Sequence, residues 1–493
     1  MATAYTDRST PVVRRTCLTT IVIAGLTLAL GGCASPTPRS AVPVVEVPAA
    51  WSVADISVPG GTSSLVEWWS RFDDPLLAAL VAQAMQSNTS VNTAKAALQQ
   101  ARALRDVSAA ALWPTVGVSA SAGRTKSGHN SAVNNFTAGL DASWELDVFG
   151  VNRNALEASE AAAQASAASL GDMQVSTAAE VALDYITLRG AQARLAIADD
   201  NLASQQETLQ ITQWRLQAGL VTSVEAEQAR ASAEQTSALI PALQTSIEQT
   251  RHALAVLTGK PPAALSSVLA AAGPVPQAAD DLALSFPAET LRQRPDVRAA
   301  EHQVTAAVAR VAQADAARLP NFSLSGSLGL NAVTIGALSG GGALVSTLLA
   351  SVSMPLFDGG ALRAKVREQQ AALDQSYLAY QAAVLTALKD VEDALVALRG
   401  DRERLLRLQQ AAEAAGNAAL LARQRYGSGL VDFQIVLETQ RTQLNTQDSV
   451  ASASADLSAD HVRLYKALGG GWRPDGNEAK LSKTVDPSLI SRP

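Results

Sequence analysis

The sequence predicts a mixed fold that combines a membrane β-barrel with long coiled-coil helices, and in which one chain carries the same unit twice. Three observations predict it: paired segments that alternate apolar and polar residues, two long stretches without proline, and motifs that recur about 210 residues apart. Each repeat supplies two strands, so one chain supplies four. Four strands cannot close a barrel, and an open edge in lipid leaves backbone groups unpaired. We therefore expect closure only in a homotrimer of about 12 strands.

Residues 1–32 are predicted to be an export signal. Arg14 and Arg15 supply the positive charge, and an apolar run follows from Leu18 to Leu30. At about 13 residues, this run is too short to remain in a bilayer as a spanning helix. The run ends in LGGC at residues 30–33, which resembles the bacterial lipobox.

Cys33 is therefore the predicted lipid attachment site. Several acyl chains, such as palmitate, give stable anchoring where a single chain is marginal. Ala34 follows the cysteine, and in lipoproteins the lack of aspartate there favours the outer membrane. In the alternative interpretation, Cys33 is only a small residue near an ordinary cleavage site. Residues 33–63 contain several prolines and are predicted to form an extended tether.

Composition narrows the classes of function. The 493 residues are 47% hydrophobic but only 4% aromatic, which suits closely packed helices rich in alanine. The net charge of −6 argues against nucleic acid as a partner. Cys17 and Cys33 are the only cysteines in the sequence, so neither a disulfide framework nor a thiolate zinc site is available.

Similar motifs occur in the same order in both halves of the chain. LWPTVGVSASAG around Pro114 is matched by RLPNFSLSGSLG around Pro320, and RLQAGLV at Arg215 returns as RYGSGLV at Arg425. Chance similarity between alanine-rich helices does not explain an ordered series of matches. The predicted divisions are a first repeat at 64–260, a linker at 261–287, a second repeat at 288–472 and a flexible tail at 473–493.

Each repeat contains a pair of two-faced segments, at residues 116–122 and 136–148 and again at 322–328 and 348–356. Such alternation is typical of strands between lipid and a wet lumen. Asp141, Glu145 and Asp147 fall on the polar side of the second segment and are candidates to face the lumen or to lie near its periplasmic rim. Two ordinary hairpins with one face on a soluble core would give the same pattern.

The stretches 151–218 and 361–428 contain no proline and predict helices of about 100 Å. Leucines recur every seven residues from Leu188 to Leu216, and the second repeat has a similar series, which predicts a coiled-coil seam. Gly219 and Gly429 follow these helices, and glycine readily takes the left-handed conformation that ends a helix. They mark the predicted tip turns, farthest from the outer membrane.

The common signatures of catalysis are missing from the sequence. Its four histidines have no paired metal-ligand spacing, and neither a G-x-S-x-G elbow nor a phosphate-binding loop is present. We therefore expect no enzyme activity, no metal and no cofactor other than the lipid on Cys33.

The lipobox, the duplicated strand pairs, the long helices and the turn motif RYGSGLVDFQIVLETQ together resemble the TolC-type outer-membrane efflux proteins, especially their NodT-type lipoprotein branch. The resemblance covers residues 64–472. It implies a homotrimeric duct without a catalytic site, in which a 12-stranded barrel in the outer membrane of a Gram-negative bacterium continues into a long α-helical coiled-coil barrel. The helical barrel forms a large periplasmic extension. The resemblance further implies a periplasmic adaptor protein and an inner-membrane RND-type pump as partners, with drugs or other small molecules as cargo.

The resemblance also implies a gate near the tip. Tyr426 matches the family's tip tyrosine, Glu225 a carboxylate of the first repeat and Glu438 an inner-ring carboxylate. Val431 stands where some members carry an arginine, which argues against an arginine–carboxylate lock. Three copies of Glu438 around a pore would favour cations and raise one another's pKa.

Simpler roles exist for all three gate candidates. Glu225 fits a capping box that begins at Thr222, Glu438 fits a solvated helix charge, and Tyr426 fits packing on the heptad seam. Two other functions also remain open for the whole chain. One is a type I secretion exit duct for proteins, and the other is a non-conducting, structural coiled-coil lipoprotein.

Overall fold

The structure is a computed structural model, and it describes residues 47–52, 65–129, 131–278 and 291–473. The predicted export signal, Cys33 and most of the tether lie outside these residues, as do part of the linker and all but the first residue of the predicted tail. The helices are α1 (Pro75–Ser87), α2 (Thr89–Ala110), α3 (Val151–Gln217), α4 (Ser223–Ser237), α5 (Leu239–Leu257), α6 (Pro295–Ala316), α7 (Ala361–Gly427) and α8 (Phe433–Ala467). The strands are β1 (Thr115–Thr125), β2 (Val133–Leu146), β3 (Asn321–Ala332) and β4 (Leu344–Ser353).

The order of elements confirms the predicted duplication. In each half a helix leads into a strand pair, and the strand pair leads into a 67-residue helix, α3 in the first repeat and α7 in the second. Gly150 and Gly360 precede these long helices with φ of 85° and 89°. Among the described helices, none combines the length and the hydropathy needed to cross a membrane.

A carboxylate marks the start of each long helix. Asp147 accepts hydrogen bonds from the backbone N–H groups of Asn152 at 3.0 Å and Arg153 at 2.8 Å. Asp358 does the same for Gly360 and Leu362, both at 2.8 Å, and these bonds lower the pKa of Asp358. The first N–H groups of a helix have no partner within it and attract a nearby anion.

The prediction that Asp147 belongs to the second strand is therefore wrong, whereas its exposure to a lumen stays a prediction. Strand β2 ends at Leu146, before the predicted end at Val148, and Asp147 lies in the connection to α3. Its carboxylate binds the start of α3 and the Arg153 guanidinium, at 3.2 Å. The position close to the strand end agrees with the alternative that it lies near the rim. Strand β4 also differs in its limits, since it begins at Leu344 and ends at Ser353.

The four strands form one antiparallel sheet in the order β1-β2-β3-β4. The register aligns apolar residues on one face in rows that cross the sheet, for example Ala120, Ala138, Leu330 and Leu344. The opposite face carries polar rows such as Glu145, Ser323 and Ser351. Every residue of β1 and β4 is exposed, including Val118 and Leu348 on the apolar face. Within the described residues, nothing pairs with the outer edge of either strand.

The main hydrophobic core lies where α1, α3 and α8 meet the segment before α1. The Trp68 ring stacks on Tyr465 with ring centroids 5.4 Å apart. Gly470 is required here, because a Cβ at that position would lie 2.9 Å from the Trp68 ring. Trp51 of the predicted tether is also buried in this core, and the Ser52 N–H donates to Glu392 at 2.9 Å. The described part of the tether is therefore packed against the helices.

A single proline makes the two repeats differ. Helix α4 ends at Ser237 and α5 begins at Leu239, whereas α8 continues for 35 residues. Pro241 has no N–H to donate to the Ser237 carbonyl, which interrupts the helical ladder. Ala451 occupies the corresponding position in α8 and allows that helix to continue.

Helix α3 of the first repeat packs against α8 of the second through a polar seam. Arg194 donates to Asp448 at 2.6 and 3.1 Å, and Gln440 donates to Thr208 at 3.0 Å. The predicted leucine seam is only half-buried in this region, whereas the polar residues Asn201, Gln205, Thr208 and Thr212 are buried. The two repeats are thus joined here by hydrogen bonds more than by apolar packing.

The half-buried carboxyl of Asp184 on α3 generates a prediction about pH. Burial, with a smaller contribution from Glu180, raises the pKa of Asp184 to about 6. The native state therefore keeps a proton that the unfolded chain loses near pH 4, and the free energy of unfolding falls as pH rises from about 4 to about 6. Asp184→Asn remains neutral and should flatten this decline when Tm is measured against pH. The exposed control Asp199→Asn should retain it, and equal slopes for all three proteins would contradict the assignment.

Candidate functional site

The tip turn of the first repeat has two backbone hydrogen bonds that close the end of α3. The Gly219 N–H donates to the Leu216 carbonyl at 2.9 Å, and the Leu220 N–H donates to the Arg215 carbonyl at 2.8 Å. Gly219 has a φ of 70°. This is a Schellman motif, in which glycine supplies the left-handed residue. An added Cβ at Gly219 would meet nothing within 4 Å, so the backbone conformation, not the available space, favours glycine.

The second tip turn is nearly identical. Gly429 has a φ of 72°, and its N–H donates to the Tyr426 carbonyl at 3.0 Å. The Leu430 N–H donates to the Arg425 carbonyl at 2.9 Å. Both predicted tip glycines therefore end a long helix and reverse the chain into the next one.

Tyr426 is buried in a small apolar cluster at the second tip. Its ring lies 5.4 Å from that of Phe433, and the other buried members are Ala422, Val436, Leu437 and Ala229. Ala229 belongs to α4 of the first repeat. The cluster therefore joins the helical hairpin of the first repeat, α3 with α4, to that of the second repeat, α7 with α8. The Tyr426 hydroxyl is buried, and within the described residues it neither donates nor accepts a hydrogen bond.

Arg215 covers this cluster from the first repeat. Its guanidinium lies 4.5 Å from the centroid of the Tyr426 ring. Nη1 donates to the Tyr426 carbonyl at 3.3 Å and Nη2 to the Gly427 carbonyl at 3.1 Å. The last carbonyls of a helix carry partial negative charge, which a cation stabilises. Arg215 therefore connects the end of α3 to the end of α7.

Arg215 was not among the candidates from sequence, although its motif was. The motif aligns Arg215 of RLQAGLV with Arg425 of RYGSGLV. The pattern does not reveal that only Arg215 contacts the helical hairpin of the other repeat. Val431 lies partly buried beside the Tyr426 cluster, and the guanidinium at this tip comes instead from the first repeat.

Glu225 lies half-buried in the first turn of α4. Thr222 has the extended backbone of an N-cap, but its side chain makes no capping hydrogen bond. The capping box that the sequence allows is therefore not formed. A role for Glu225 in a gate stays a prediction.

Glu438 is exposed on α8, on the same side as exposed Ile435 one turn earlier. Its neighbours Val436 and Leu437 turn inward and contact the Tyr426 cluster. Within the described residues, no hydrogen bond or ion pair joins Glu438 or Glu225 to Tyr426. The structure thus places all three candidates near the tips without bringing them into one bonded group.

The two remaining carboxylates lie on the polar face of the sheet. Asp141 accepts a hydrogen bond from the Ser119 hydroxyl at 2.6 Å across β1 and β2. Glu145 accepts one from the Asn321 side chain at 2.8 Å across β2 and β3. Both sit on the face that the alternation predicts as polar, and their exposure to a lumen stays a prediction.

Comparison with known proteins identifies the family. The model of a family described as outer membrane efflux protein matches residues 80–260 and 286–470, one match in each repeat. The chain belongs to the outer membrane efflux protein family. It is accordingly an outer-membrane efflux channel protein, a transport duct and not an enzyme.

Individual relatives support this assignment over nearly their whole length. Nodulation protein T of Rhizobium leguminosarum bv. trifolii is 30% identical over 91% of this chain and 96% of that protein. A solvent efflux pump outer membrane protein, SrpC of Pseudomonas putida, is 30% identical over 91% of this chain and 98% of that protein. The solved structure of the outer-membrane channel OprN matches with a TM-score of 0.81 and 36% identity, over 87% of this chain and 99% of that chain.

The contacts of Arg215 predict that it holds the hairpin tips of this efflux protein together. Arg215→Ala removes one cation–π contact and two hydrogen bonds, worth about 1–3 kcal/mol in total at a partly exposed site. We expect the variant to conduct more current than the wild type in planar bilayers, because its tips separate more readily. Gln213→Ala, at an exposed position on the same helix end, serves as the control. Equal conductance for Arg215→Ala and the control would exclude this role.

Proposed function

We propose that the chain is the outer-membrane exit duct of a tripartite efflux system and that it works as a homotrimer. The observation that carries this proposal is the four-stranded sheet, which has one apolar face, one polar face and two unpaired edges within the described residues. Three copies place β4 of one chain beside β1 of the next and close a barrel of about 12 strands. The apolar rows then face lipid and the polar rows face the lumen.

The energetic reason for closure is the cost of unpaired backbone groups in hydrocarbon. Each unsatisfied N–H or C=O costs several kcal/mol there. Strands β1 and β4 contain 11 and 10 residues, and alternate residues direct their backbone groups outward at each edge. Pairing the two edges removes this cost along the whole length of both strands.

The proposed partners are a periplasmic adaptor protein and an inner-membrane RND-type pump. One relative is named as the outer membrane protein of a solvent efflux pump, which supports small molecules as the cargo. The net charge of −6 and the efflux family both argue against nucleic acid as a partner. We further propose that Cys33 carries the lipid that anchors the duct in the outer membrane of a Gram-negative bacterium.

We also propose that Glu438 lines the narrow end of the duct. It is exposed on the same face of α8 as Ile435, while the opposite face packs on the Tyr426 cluster. Three such carboxylates around one axis attract cations and repel anions. Asp141 and Glu145 extend the negative lumen at the level of the sheet.

Single-channel recording of the purified protein in planar bilayers tests these proposals together. We expect discrete currents with a preference for cations, and block by multivalent cations. Glu438→Ala should weaken both the block and the cation preference, whereas the control Glu413→Ala, exposed on α7, should leave both unchanged.

The alternatives give different results in this experiment. A structural coiled-coil lipoprotein would give no current at all. If the wild type conducts and Glu438→Ala has the same block and the same cation preference, the protein is a duct but Glu438 does not line its pore. A protein-secretion duct would also conduct, and the transporter encoded beside the gene separates it from a drug-efflux duct.

A further inference from the structure

Corresponding arginines have different surroundings in the two repeats. Arg215 is partly buried against the end of α7 and donates to two carbonyl groups there. Arg425 occupies the same place in the duplicated motif at the end of α7 itself. It is exposed, and within the described part of the chain its side chain makes no hydrogen bond or ion pair.

A matching acceptor is left open at the end of α3. Arg215 binds the carbonyls of Tyr426 and Gly427, which correspond in the duplication to those of Leu216 and Gln217. The Leu216 carbonyl accepts the Gly219 N–H, just as the Tyr426 carbonyl accepts the Gly429 N–H. The Gln217 carbonyl accepts no hydrogen bond within the described residues.

One arginine of the chain therefore binds the end of a long helix within the same subunit. The donor and the acceptors of a second, equivalent contact are both present but are not bonded to each other. They lie on different hairpins, the arginine on the second and the carbonyls on the first. Two unlike but complementary surfaces on one chain form a head-to-tail contact, and such contacts produce a ring of identical subunits when the rotation between subunits closes, as it does in the proposed trimer. The charges are complementary, because a guanidinium faces the negative end of a helix dipole.

We propose that Arg425 binds the carbonyl oxygens of Leu216 and Gln217 in a second copy of this chain, so that it repeats between subunits the contact that Arg215 makes within one. This proposal rests on the ring assembly of the proposed function and specifies how its tips are joined. The tip of the ring is then held by alternating contacts, one inside each subunit and one between each neighbouring pair.

The two kinds of contact differ in strength. Within a subunit the guanidinium lies over the aromatic ring of Tyr426. Between subunits the corresponding side chain is Leu216, which offers no π-face, and the cation–π contribution is lost. The contact between subunits is the weaker of the two. The tip therefore separates first at the boundaries between copies.

Chemical crosslinking of paired cysteines tests this contact. Arg425→Cys is combined with Gln217→Cys in the full-length protein, and the purified assembly is treated with a bifunctional maleimide whose spacer has the length of an arginine side chain. We expect the single-subunit band on a denaturing gel to shift to two- and three-subunit bands. The only cysteines of the native sequence are Cys17 and Cys33, of which the first leaves with the predicted signal and the second is proposed to carry lipid.

Two matched pairs serve as controls. Arg215→Cys with Gly427→Cys reproduces the contact observed within one chain and should crosslink without any change in subunit number. Arg425→Cys with Gln244→Cys, an exposed position on α5 away from the tips, should give no crosslinked species.

The outcomes separate this inference from the function it rests on. A trimer in detergent that crosslinks at the Arg215 pair but not at the Arg425–Gln217 pair overturns the inference and leaves the trimeric duct intact. A protein that is a single subunit in detergent, measured by native mass, overturns both.

Discussion

The structure depends on the backbone groups at the two outer edges of the sheet. Within the described residues, β1 and β4 each have one edge without a partner strand, and both strands are exposed throughout. The apolar rows across one face make lipid the favourable surrounding for that face, and lipid supplies no hydrogen bonds to the open edges. Closure with identical copies satisfies both requirements. In each repeat the strand pair leads into a long helix, so α3 and α7 begin at equivalent places after the sheet.

Stability is distributed unevenly along the long helices. Near α1 the core is aromatic and fully buried, with Trp68 stacked on Tyr465. Toward the tips, α3 and α8 meet through polar side chains, and the buried Oε1 atoms of Gln205 and Gln440 accept no hydrogen bond. Incompletely satisfied polar contacts hold helices together less firmly than a packed apolar core does. The long helices are therefore held firmly near the middle of α3, where this core lies, and more loosely at the tips. At the tips, Arg215 and the Tyr426 cluster supply the remaining contacts between the hairpins.

Much of the fold was predictable from local patterns. The predicted helical stretches 151–218 and 361–428 match α3 and α7 to within a residue, and Gly219 and Gly429 have the predicted left-handed conformation. The features that were missed depend on residues distant in sequence or on competing local partners. Asp147 continues the alternation of β2 but binds the start of α3, because unpaired N–H groups lie within its reach. Arg215 and Arg425 are equivalent in sequence, and only the arrangement of the two hairpins distinguishes them.

Backbone hydrogen exchange in β1 and β4 of the protein reconstituted in lipid tests directly whether the sheet edges are paired between copies. Closure between copies predicts that amides of both outer strands exchange as slowly as those of the central strands β2 and β3, because every N–H has a partner. Fast exchange confined to β1 and β4, with β2 and β3 protected, would mean that the edges stay open and would contradict the closed assembly.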